Sequence, residues 1–532
     1  APFSSNLSLF HHLFLLIYIS DIPSPLHSYH IQTMRSLSLT IAAATTILLA
    51  TLSTVHAQDG TPTGITNTAP STYSCDPKVC LPPACMCASL KPPGGLDPKT
   101  VPQFVTITCD DSIQADLFVT AQKLLAAAKN PNGCPARGTF FVSIQYTNFA
   151  LVDQWYAAGN EVADHTWTHV GTPPAAEISA CKEALNAYGG IPRGKIQGFR
   201  APFLNYTLGT LQEIAQQGFI YDSSATAVID DANWPYTLDN GLANDCWSPG
   251  LCTAGALKLP GVWEIPMHSV VDDTQIPQLM DVYLAGTSAN VTSWYNTNWQ
   301  RHYNGNRAPF GIYVHPTHMT NYVGLPDASG YLNTMTSIIA TLASNPDVWF
   351  VTNQQLLAWM KNPVPASQLA SQSYMQCNQP VIAKEICNGL DDTKQGVIDK
   401  NLTNQCTFNT SDFQTCFNCP ATEPTAANPV PASNVAVGSP NYRYPLPDTC
   451  DSIWWDPIGD NCLCNSSTCA YKDVSQPITK NGTTNGTTNG TTNGNGNSTS
   501  NSNGKASGAS QIVNTVGMTI AAVLGALAIV SL

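Results

Sequence analysis

Two short motifs in this chain combine carboxylates and imidazoles at spacings that suit metal chemistry. Cys109-Asp110-Asp111 follows the apolar, β-branched run 104–108, and two adjacent acids at a strand end can reach one site where the chain turns. Asp164-His165-Thr-Trp-Thr-His169 separates two histidines by four residues, which predicts both imidazoles on one face of a helical turn. Each motif alone also fits a structural role, as a turn or as a packed histidine pair.

The two motifs together indicate a catalytic metal site. One carboxylate and two imidazoles with an open fourth position are the ligand set of a catalytic zinc. Such an ion lowers the pKa of bound water toward ~7 and polarises a carbonyl group. The remaining aspartate of the pair could then serve as a base.

Two later segments supply further polar groups. In Gly198-Phe-Arg200-Ala-Pro202-Phe203, Arg200 could hold a carboxylate through a bidentate pair. The run Phe310-Gly-Ile-Tyr-Val-His315 predicts a short apolar strand that ends in a histidine, a suitable position for a general acid.

Short β-rich runs alternate with helical patterns around these motifs. Strands are predicted at 104–108, 138–142 and 161–163, and helices at 116–129 and 150–158. This alternation predicts an α/β fold with a parallel sheet or barrel. In barrels of this kind, chemistry lies at the carboxyl ends of the strands, which is where both metal-binding motifs fall.

In this order, the motifs resemble the five motifs of the polysaccharide deacetylases, carbohydrate esterase family four, which carry the NodB homology domain. The resemblance is strongest to the chitin deacetylases, including those of insects, and covers about 75–387. It rests on Thr-Ile-Thr-Cys-Asp110-Asp111, His165-x-x-x-His169, Arg200-x-Pro-Phe203, Trp234-Pro-Tyr, Tyr-Val-His315, Cys75-Asp-Pro-x-x-Cys80-x-x-Pro-x-Cys85-x-Cys87, Asn130-Pro-Asn-Gly-Cys134-Pro and Tyr221-Asp-Ser-Ser.

The resemblance implies a distorted (β/α) barrel with Cys-rich irregular flanking segments, and it implies roles for individual residues. Asp111, His165 and His169 would hold the divalent metal, Zn²⁺ or another ion such as Co²⁺. Asp110 would be the general base and Arg200 would orient it. The backbone N–H of Phe203 would stabilise the oxyanion, His315 would protonate the departing amine, and Trp234 would wall the pocket.

The sequence departs from the family pattern at three places. Cys109 stands where the family commonly has Phe, and Phe203 stands where it usually has Tyr. Because the oxyanion donor is the backbone, we expect activity to survive the lost hydroxyl. The aspartate that tunes His315 is not fixed by spacing, and Asp230 and Asp231 are the candidates.

Composition excludes some classes of partner. Only 11% of the 532 residues are charged, the formal net charge is −13 and the pI is near 5.1. Nucleic acid binding needs a basic patch, so we expect no nucleic acid partner. An acidic chain also gains nothing from an anionic lipid surface.

Eighteen cysteines in a chain with few charges indicate an oxidising compartment. Nine lie at 75–252 and nine at 377–469, so either one disulfide joins the two sets or each set keeps one unpaired thiol. Cys109 is the candidate for a free buried thiol. The cluster 75–87 is expected to form disulfides, with a zinc knuckle as the alternative. The acidic segment 385–399 faintly suggests a calcium loop, with an acidic, disulfide-closed loop as the alternative.

Both ends of the chain carry the patterns of processing signals. A basic start, an apolar middle and a small-residue exit predict a signal peptide, and a small-residue site before an apolar tail predicts a GPI anchor. The predicted divisions are an upstream non-native segment 1–33, signal peptide 34–57, linker 58–74, deacetylase domain 75–387, Cys-rich irregular region 388–475, glycosylated Asn/Gly/Thr/Ser-rich stalk 476–509 and GPI-signal tail 510–532.

The sequence therefore predicts a secreted, surface-anchored monomer that deacetylates N-acetylglucosamine units of chitin during cell-wall remodelling. A different class of function stays open, namely a catalytically silent carbohydrate-binding wall protein. Trp454-Trp455 could be its sugar platform, or could belong to a small disulfide-bonded core. A third possibility keeps the chemistry but takes peptidoglycan or acetylxylan as the substrate.

Overall fold

Strand β1, Gln103–Asp111, lies at the centre of the molecule and is buried along almost its whole length. It belongs to a nine-stranded sheet. The strands lie in the order Phe310–Val314 (β12), β1, Thr139–Val142 (β2), Glu161–Asp164 (β3), Gly198–Phe199 (β4), Tyr221–Asp222 (β5), Trp263–Glu264 (β8) and Tyr236–Thr237 (β7), and Val348–Phe350 (β13) also pairs with β1. Every pairing in this sheet is parallel except that of β7 with β8. The sheet curls into an incomplete α/β barrel, which confirms the predicted fold class.

The computed structural model describes most of the predicted deacetylase domain and part of the Cys-rich region that comes after it. The described residues are 72–228, 232–246, 250–320, 328–377, 380–381, 403–439, 442–450, 454–457, 460–463 and 479–480. The predicted signal peptide and GPI tail, the acidic segment 385–399, the candidates Asp230 and Asp231, most of the linker and all of the stalk except 479–480 lie outside these ranges.

Helices follow the strands in the order that a parallel sheet requires. The strands of the large sheet are β1, then β2 Thr139–Val142, β3 Glu161–Asp164, β4 Gly198–Phe199, β5 Tyr221–Asp222, β7 Tyr236–Thr237, β8 Trp263–Glu264, β12 Phe310–Val314 and β13 Val348–Phe350. Short pairs outside it are β6 Thr226–Ala227 with β9 Met267–His268, β10 Val270–Val271 with β11 Pro277–Gln278, β14 Pro380–Val381 with β19 Thr479–Lys480, β15 Asn404–Thr407 with β16 Asp412–Thr415 and β17 Trp454–Asp456 with β18 Asn461–Leu463. The helices are α1 Ala115–Ala126, α2 Phe149–Ala157, α3 Ala175–Ala187, α4 Leu208–Gln216, α5 Ser288–Tyr303, α6 Ala328–Ala343, α7 Asn353–Lys361 and α8 Ala366–Leu369.

The predicted elements match these bounds because their apolar patterns have one clear solution. β1 and β2 read as continuous apolar runs since both faces of a parallel strand are covered. Helix α1 buries residues spaced three and four apart, among them Leu117, Ala121 and Leu124. Helix α2 begins at Asn148, whose side chain accepts the Ala150 N–H and caps the first turn.

Disulfides hold the outer segments to this core. Cys75–Cys87 and Cys80–Cys85 close the N-terminal cluster, as predicted, and Cys134–Cys377 joins the two cysteine sets. Cys246–Cys252, Cys406–Cys419 and Cys450–Cys462 are local. Cys109 is a free buried thiol, as predicted, and so is Cys181, which the sequence did not single out.

The described residues from 403 to 463, here called the C-terminal module, pack on the outside of α2 and α3. Phe413 lies 5.1 Å from the rings of both Phe149 and Tyr188, measured between centroids. Thr415 donates its hydroxyl to the Tyr188 carbonyl at 2.6 Å. The described part of the predicted irregular region therefore packs against these two helices of the α/β fold. Within the part of the chain that the structure describes, no helix has the length and apolar character needed to cross a bilayer.

Candidate active site

Asp111, His165 and His169 bring their side chains together at the carboxyl end of the sheet. Asp111 Oδ1 lies 3.0 Å from His169 Nε2 and 3.8 Å from His165 Nε2. The ligand atoms of the three residues all lie within 4.8 Å of one another. A carboxylate and two imidazoles at this separation fit a tetrahedral zinc with one position open, so the donor set suits the predicted metal.

The chain reaches this geometry through strained loops rather than through the predicted helical turn. Residues 165–170 are not helical, and Thr166 and His169 adopt left-handed backbone conformations with φ of 72° and 56°. Asp111 does so as well, with φ of 86°. Left-handed backbone at non-glycine residues is costly and concentrates at functional sites. The two imidazoles converge because the loop turns sharply. The prediction that His165 and His169 lie together is therefore correct, but the helical turn from which it was inferred is absent.

A loop between β2 and α2 ties these two ligand-bearing segments together. The Ser143 N–H donates to the Asp111 carbonyl at 3.1 Å, and the Ile144 N–H donates to the Thr166 carbonyl at 3.3 Å. Gln145 N–H donates to the Trp167 carbonyl at 3.0 Å. Backbone hydrogen bonds of this kind fix the separation of the ligand loops without using the ligand side chains.

The protonation states around the ligands suit a cation. Burial lowers the pKa of His165 to about 4, against the pull of the Asp110 carboxylate, so the ring is neutral. Its Nδ1–H donates a hydrogen bond to the Arg200 carbonyl oxygen at 2.8 Å, because a carbonyl oxygen can only accept, and Nε2 therefore keeps its lone pair for a metal ion. Burial opposes ionisation of Asp111, but a hydrogen bond from His169 and the nearby His315 hold its pKa well below the ordinary value.

Arg200 holds the Asp110 carboxylate in place through a hydrogen bond. Its Nη1 donates to Asp110 Oδ1 at 2.7 Å and to Thr108 Oγ1 at 2.9 Å, and its Nε donates to the Ser223 carbonyl at 2.8 Å. The guanidinium is fully buried and its carbon lies 4.0 Å from the Phe141 ring centroid. With Oδ1 so engaged, Asp110 Oδ2 is the oxygen on the ligand side, 3.9 Å from His165 Nε2. Arg200 thus contacts the aspartate that the sequence predicts it to orient.

His315 lies beside the ligands, directly after the end of β12. Its Nε2 lies 4.0 Å from Asp111 Oδ2, and its Nδ1 lies 2.5 Å from Asp281 Oδ2. Asp281 is also held by the Tyr283 hydroxyl at 2.6 Å and the His315 backbone N–H at 2.7 Å, both donating to Oδ1. Burial disfavours the imidazolium, but the Asp281 carboxylate outweighs it and raises the pKa of His315 to about 10.

Sequence reasoning missed Asp281 and proposed Asp230 or Asp231 for this role. Those two residues lie outside the described ranges, whereas Asp281 makes the contact. The signal that could have found it is the strand-end rule already applied to Asp110. Met280 forms an isolated parallel bridge to Tyr313, so Asp281 also follows an extended segment at the carboxyl edge.

The other predicted site residues lie in different surroundings. Phe203 sits beside the ligands, with its ring centroid 4.5 Å from that of His169 and its backbone at φ of 58°. Trp234 is 2% exposed and stacks on Trp359 at 5.5 Å, so it packs in the core, which argues against a direct role as a pocket wall. Cys109 is buried behind the aspartate pair, and burial raises the pKa of its thiol well above the ordinary range.

Comparisons with known proteins identify the family of this chain. The family described as Polysaccharide deacetylase matches residues 97–221. Chitin deacetylase 8 of Bombyx mori is 33% identical over 381 residues, covering 68% of this chain and 94% of the relative. Chitin deacetylase 1 of Bombyx mori is 28% identical over 383 residues, covering 67% of this chain and 68% of the relative.

Among solved structures, a putative polysaccharide deacetylase from Mycobacterium smegmatis superposes with a TM-score of 0.36 and 19% identity, over 52% of this chain and 95% of that chain. The family match spans β1 to β5 and includes both carboxylates, both histidines and Arg200. The extent and identity of the match to the first relative establish kinship across most of the chain. This chain belongs to the polysaccharide deacetylase family and is a hydrolase.

Proposed function

We propose that this protein removes the acetyl group from N-acetylglucosamine units of chitin, giving chitosan and acetate, in cell-wall remodelling. The observation that carries the proposal is that the acid and the base both border the ligand set. Asp110 Oδ2 lies 3.9 Å from His165 Nε2, and His315 Nε2 lies 4.0 Å from Asp111 Oδ2. The two related insect proteins are named for chitin, which supports that substrate.

Asp110 is placed to take a proton from the attacking water. Arg200 fixes its Oδ1, so Oδ2 keeps its lone pairs on the side of the ligands. A divalent ion held by Asp111, His165 and His169 would supply a Lewis acid that polarises the acetamide carbonyl and acidifies a water molecule. Zinc fits this donor set, and cobalt is the alternative.

His315 is placed to complete the hydrolysis. As water oxygen bonds to the acetamide carbon and the C–N bond breaks, Asp110 holds the water's proton and His315 delivers its Nε2 proton to the departing nitrogen. The Asp281 carboxylate at 2.5 Å stabilises the imidazolium that makes this donation possible. The sharp turn at Phe203 supports the proposal that its backbone N–H donates to the developing oxyanion.

The setting of the enzyme is proposed from its cysteines and terminal patterns. Six disulfides among the described residues fit an oxidising compartment. The sequence patterns at the two ends favour secretion followed by GPI anchoring at the cell surface, with the stalk between anchor and enzyme. We also propose that the protein is a monomer, as the sequence analysis predicts.

The test is acetate release measured side by side on chitin oligosaccharides, peptidoglycan and acetylxylan. We expect release from chitin, loss after chelation and recovery on adding Zn²⁺. Asp110→Asn should abolish release, while Asp116→Asn, at an exposed position in the first turn of α1, is the matched control and should not. Preferential release from peptidoglycan or acetylxylan would refute chitin as the substrate, and equal release by the Asp110→Asn protein would refute the mechanism.

Of the two tryptophans that could form a sugar platform in a silent carbohydrate-binding protein, Trp455 is unsuited to that role. Trp455 is 4% exposed and donates its indole N–H to the Tyr444 carbonyl at 2.9 Å, so it belongs to a small core of the C-terminal module. A buried indole cannot offer its face to a sugar ring.

A further inference from the structure

A second group of metal-ligating side chains lies on the outer side of His315. Ligand atoms of Asp281, His315 and His318 all lie within 4.8 Å of one another. His315 directly follows β12, and His318 lies on the short 3-10 helix Pro316–Met319 that comes next. This group is distinct from Asp111, His165 and His169, and it faces Nδ1 of the His315 ring rather than Nε2.

The two carboxylate oxygens of Asp281 make different contacts. Oδ1 accepts hydrogen bonds from the Tyr283 hydroxyl and the His315 backbone N–H, which fixes the carboxylate in place. Oδ2 faces both rings, 2.5 Å from His315 Nδ1 and 3.6 Å from His318 Nε2. The separation from His318 is too long for a hydrogen bond. It is close to the separation of roughly 3.3 Å between two ligands of a tetrahedral zinc with bonds of about 2.0–2.1 Å.

The other nitrogen of His318 leaves both tautomers of the ring open. Nδ1 is buried and has no hydrogen-bond partner among the described residues, so nothing there fixes the tautomer. When the proton is on Nδ1, the lone pair of Nε2 points toward a carboxylate oxygen, an arrangement that a cation between them stabilises. The His318 side chain is 30% exposed and that of Asp281 is 10% exposed, so an ion can enter from the solvent on the His318 side.

We propose that Asp281 Oδ2, His315 Nδ1 and His318 Nε2 form a second divalent cation site, and that zinc bound there inhibits the enzyme. The incoming ion replaces the Nδ1 proton of His315, which leaves to the solvent, and the hydrogen bond to Asp281 is lost. That loss makes this site weaker than the first one. The inhibitory consequence rests on the proposed function, since a ring that coordinates zinc through Nδ1 is no longer an imidazolium and is a poor proton donor.

The binding is tested with zinc alone on the full-length protein. Equilibrium dialysis across a series of free zinc concentrations, followed by metal analysis, should give two ions per wild-type chain at high zinc and one at low zinc. His318→Gln should bind one ion throughout. Thr317→Ala, in the same helical turn, is the matched control and should bind two. One ion per wild-type chain at every concentration, or two in His318→Gln, would overturn the site.

The inhibition is tested by acetate release over the same zinc series. In the wild type, activity should rise as the first site fills and then fall as the second site fills. The fall should be about a hundredfold, which is the lower end of the rate enhancement that a general acid contributes. His318→Gln should keep its full activity at low zinc and lose the fall at high zinc. A fall of equal size in His318→Gln would refute the inhibitory role. If no chitin substrate is deacetylated at any zinc concentration, the proposed function fails, and dialysis still decides whether the second site exists.

Discussion

Replacing Asp281 with asparagine removes one negative charge at the oxygen that faces His315 and changes little else. The Tyr283 hydroxyl and the His315 backbone N–H both donate to Oδ1, which an asparagine oxygen can replace. Only the 2.5 Å contact between Oδ2 and His315 Nδ1 is lost, because an amide N–H₂ then meets that nitrogen. The ring is left neutral, with its remaining proton on Nε2.

The expected loss follows from what the imidazolium supplies. General acid catalysis contributes about 10²–10⁴-fold, equivalent to roughly 3–5 kcal/mol at 1.36 kcal/mol per factor of ten. The Asp281 carboxylate raises the pKa of His315 to about 10, against the opposing effect of burial. Without the Asp281 carboxylate, only the Asp111 and Asp110 carboxylates oppose the effect of burial, so the pKa of His315 falls. Because the acid is active when protonated, the alkaline limb of the pH–rate profile should move to lower pH.

The assay is kcat/KM for acetate release from a chitin oligosaccharide, measured across pH for the wild type and Asp281→Asn. Tyr283→Phe is the matched control, since it removes a hydrogen bond to the same carboxylate while keeping the charge. We expect it to lose far less activity and to keep the alkaline limb in place. An Asp281→Asn profile with an unmoved alkaline limb, or activity within tenfold of the wild type, would refute the reasoning.

Three further predictions concern the metal, pH and the C-terminal module. His165→Gln should lose the bound divalent ion, which metal analysis would measure. Acetate release should fall roughly a thousandfold, because the ion contributes several kcal/mol to catalysis. Full metal content in this variant would contradict the assignment of His165 as a ligand. Burial and the neighbouring Asp222 raise the pKa of Glu264, so the folded state keeps a proton that the unfolded chain releases above about pH 4. Stability from this group is therefore lost as pH rises, and Glu264→Gln should show a smaller fall in melting temperature between acidic and alkaline pH; parallel curves would count against it. Phe413→Ala should lower the free energy of unfolding by about 3 kcal/mol, because the Phe413 side chain is only 9% exposed and packs on Phe149. A loss well under 1 kcal/mol in chemical denaturation would show that the C-terminal module is not packed as described.

The residues at strand ends were predictable because parallel strands deliver their carboxyl ends to one edge. Asp110, Asp111 and His315 each follow an apolar run whose length and composition leave no other assignment. Their convergence needs only that the strands are neighbours, and β12 does pair with β1. Arg200 follows the two-residue strand β4 in the same way.

Contacts made by irregular segments could not be predicted from the sequence. The strand-end rule could have marked Asp281 as a candidate, but no spacing rule connects it with His315, 34 residues later, because Asp281 lies in a loop with a left-handed φ of 51°. The His165 loop was predicted as a helical turn because positive φ at Thr166 and His169 leaves no mark in residue type. The seating of Phe413 on Phe149 joins residues far apart in the chain, which local periodicity does not encode.

The disulfide between Cys134 and Cys377 spans 243 residues of the sequence. Within that interval lie both histidine ligands, Arg200, Asp281 and His315, whereas Asp110 and Asp111 precede it. A single protease cut anywhere between the two cysteines leaves the fragments covalently joined. An enzyme exposed to extracellular proteases could thus be nicked in a surface loop and still keep its base and its acid on one molecule, a state that a reducing gel would reveal and a non-reducing gel would hide.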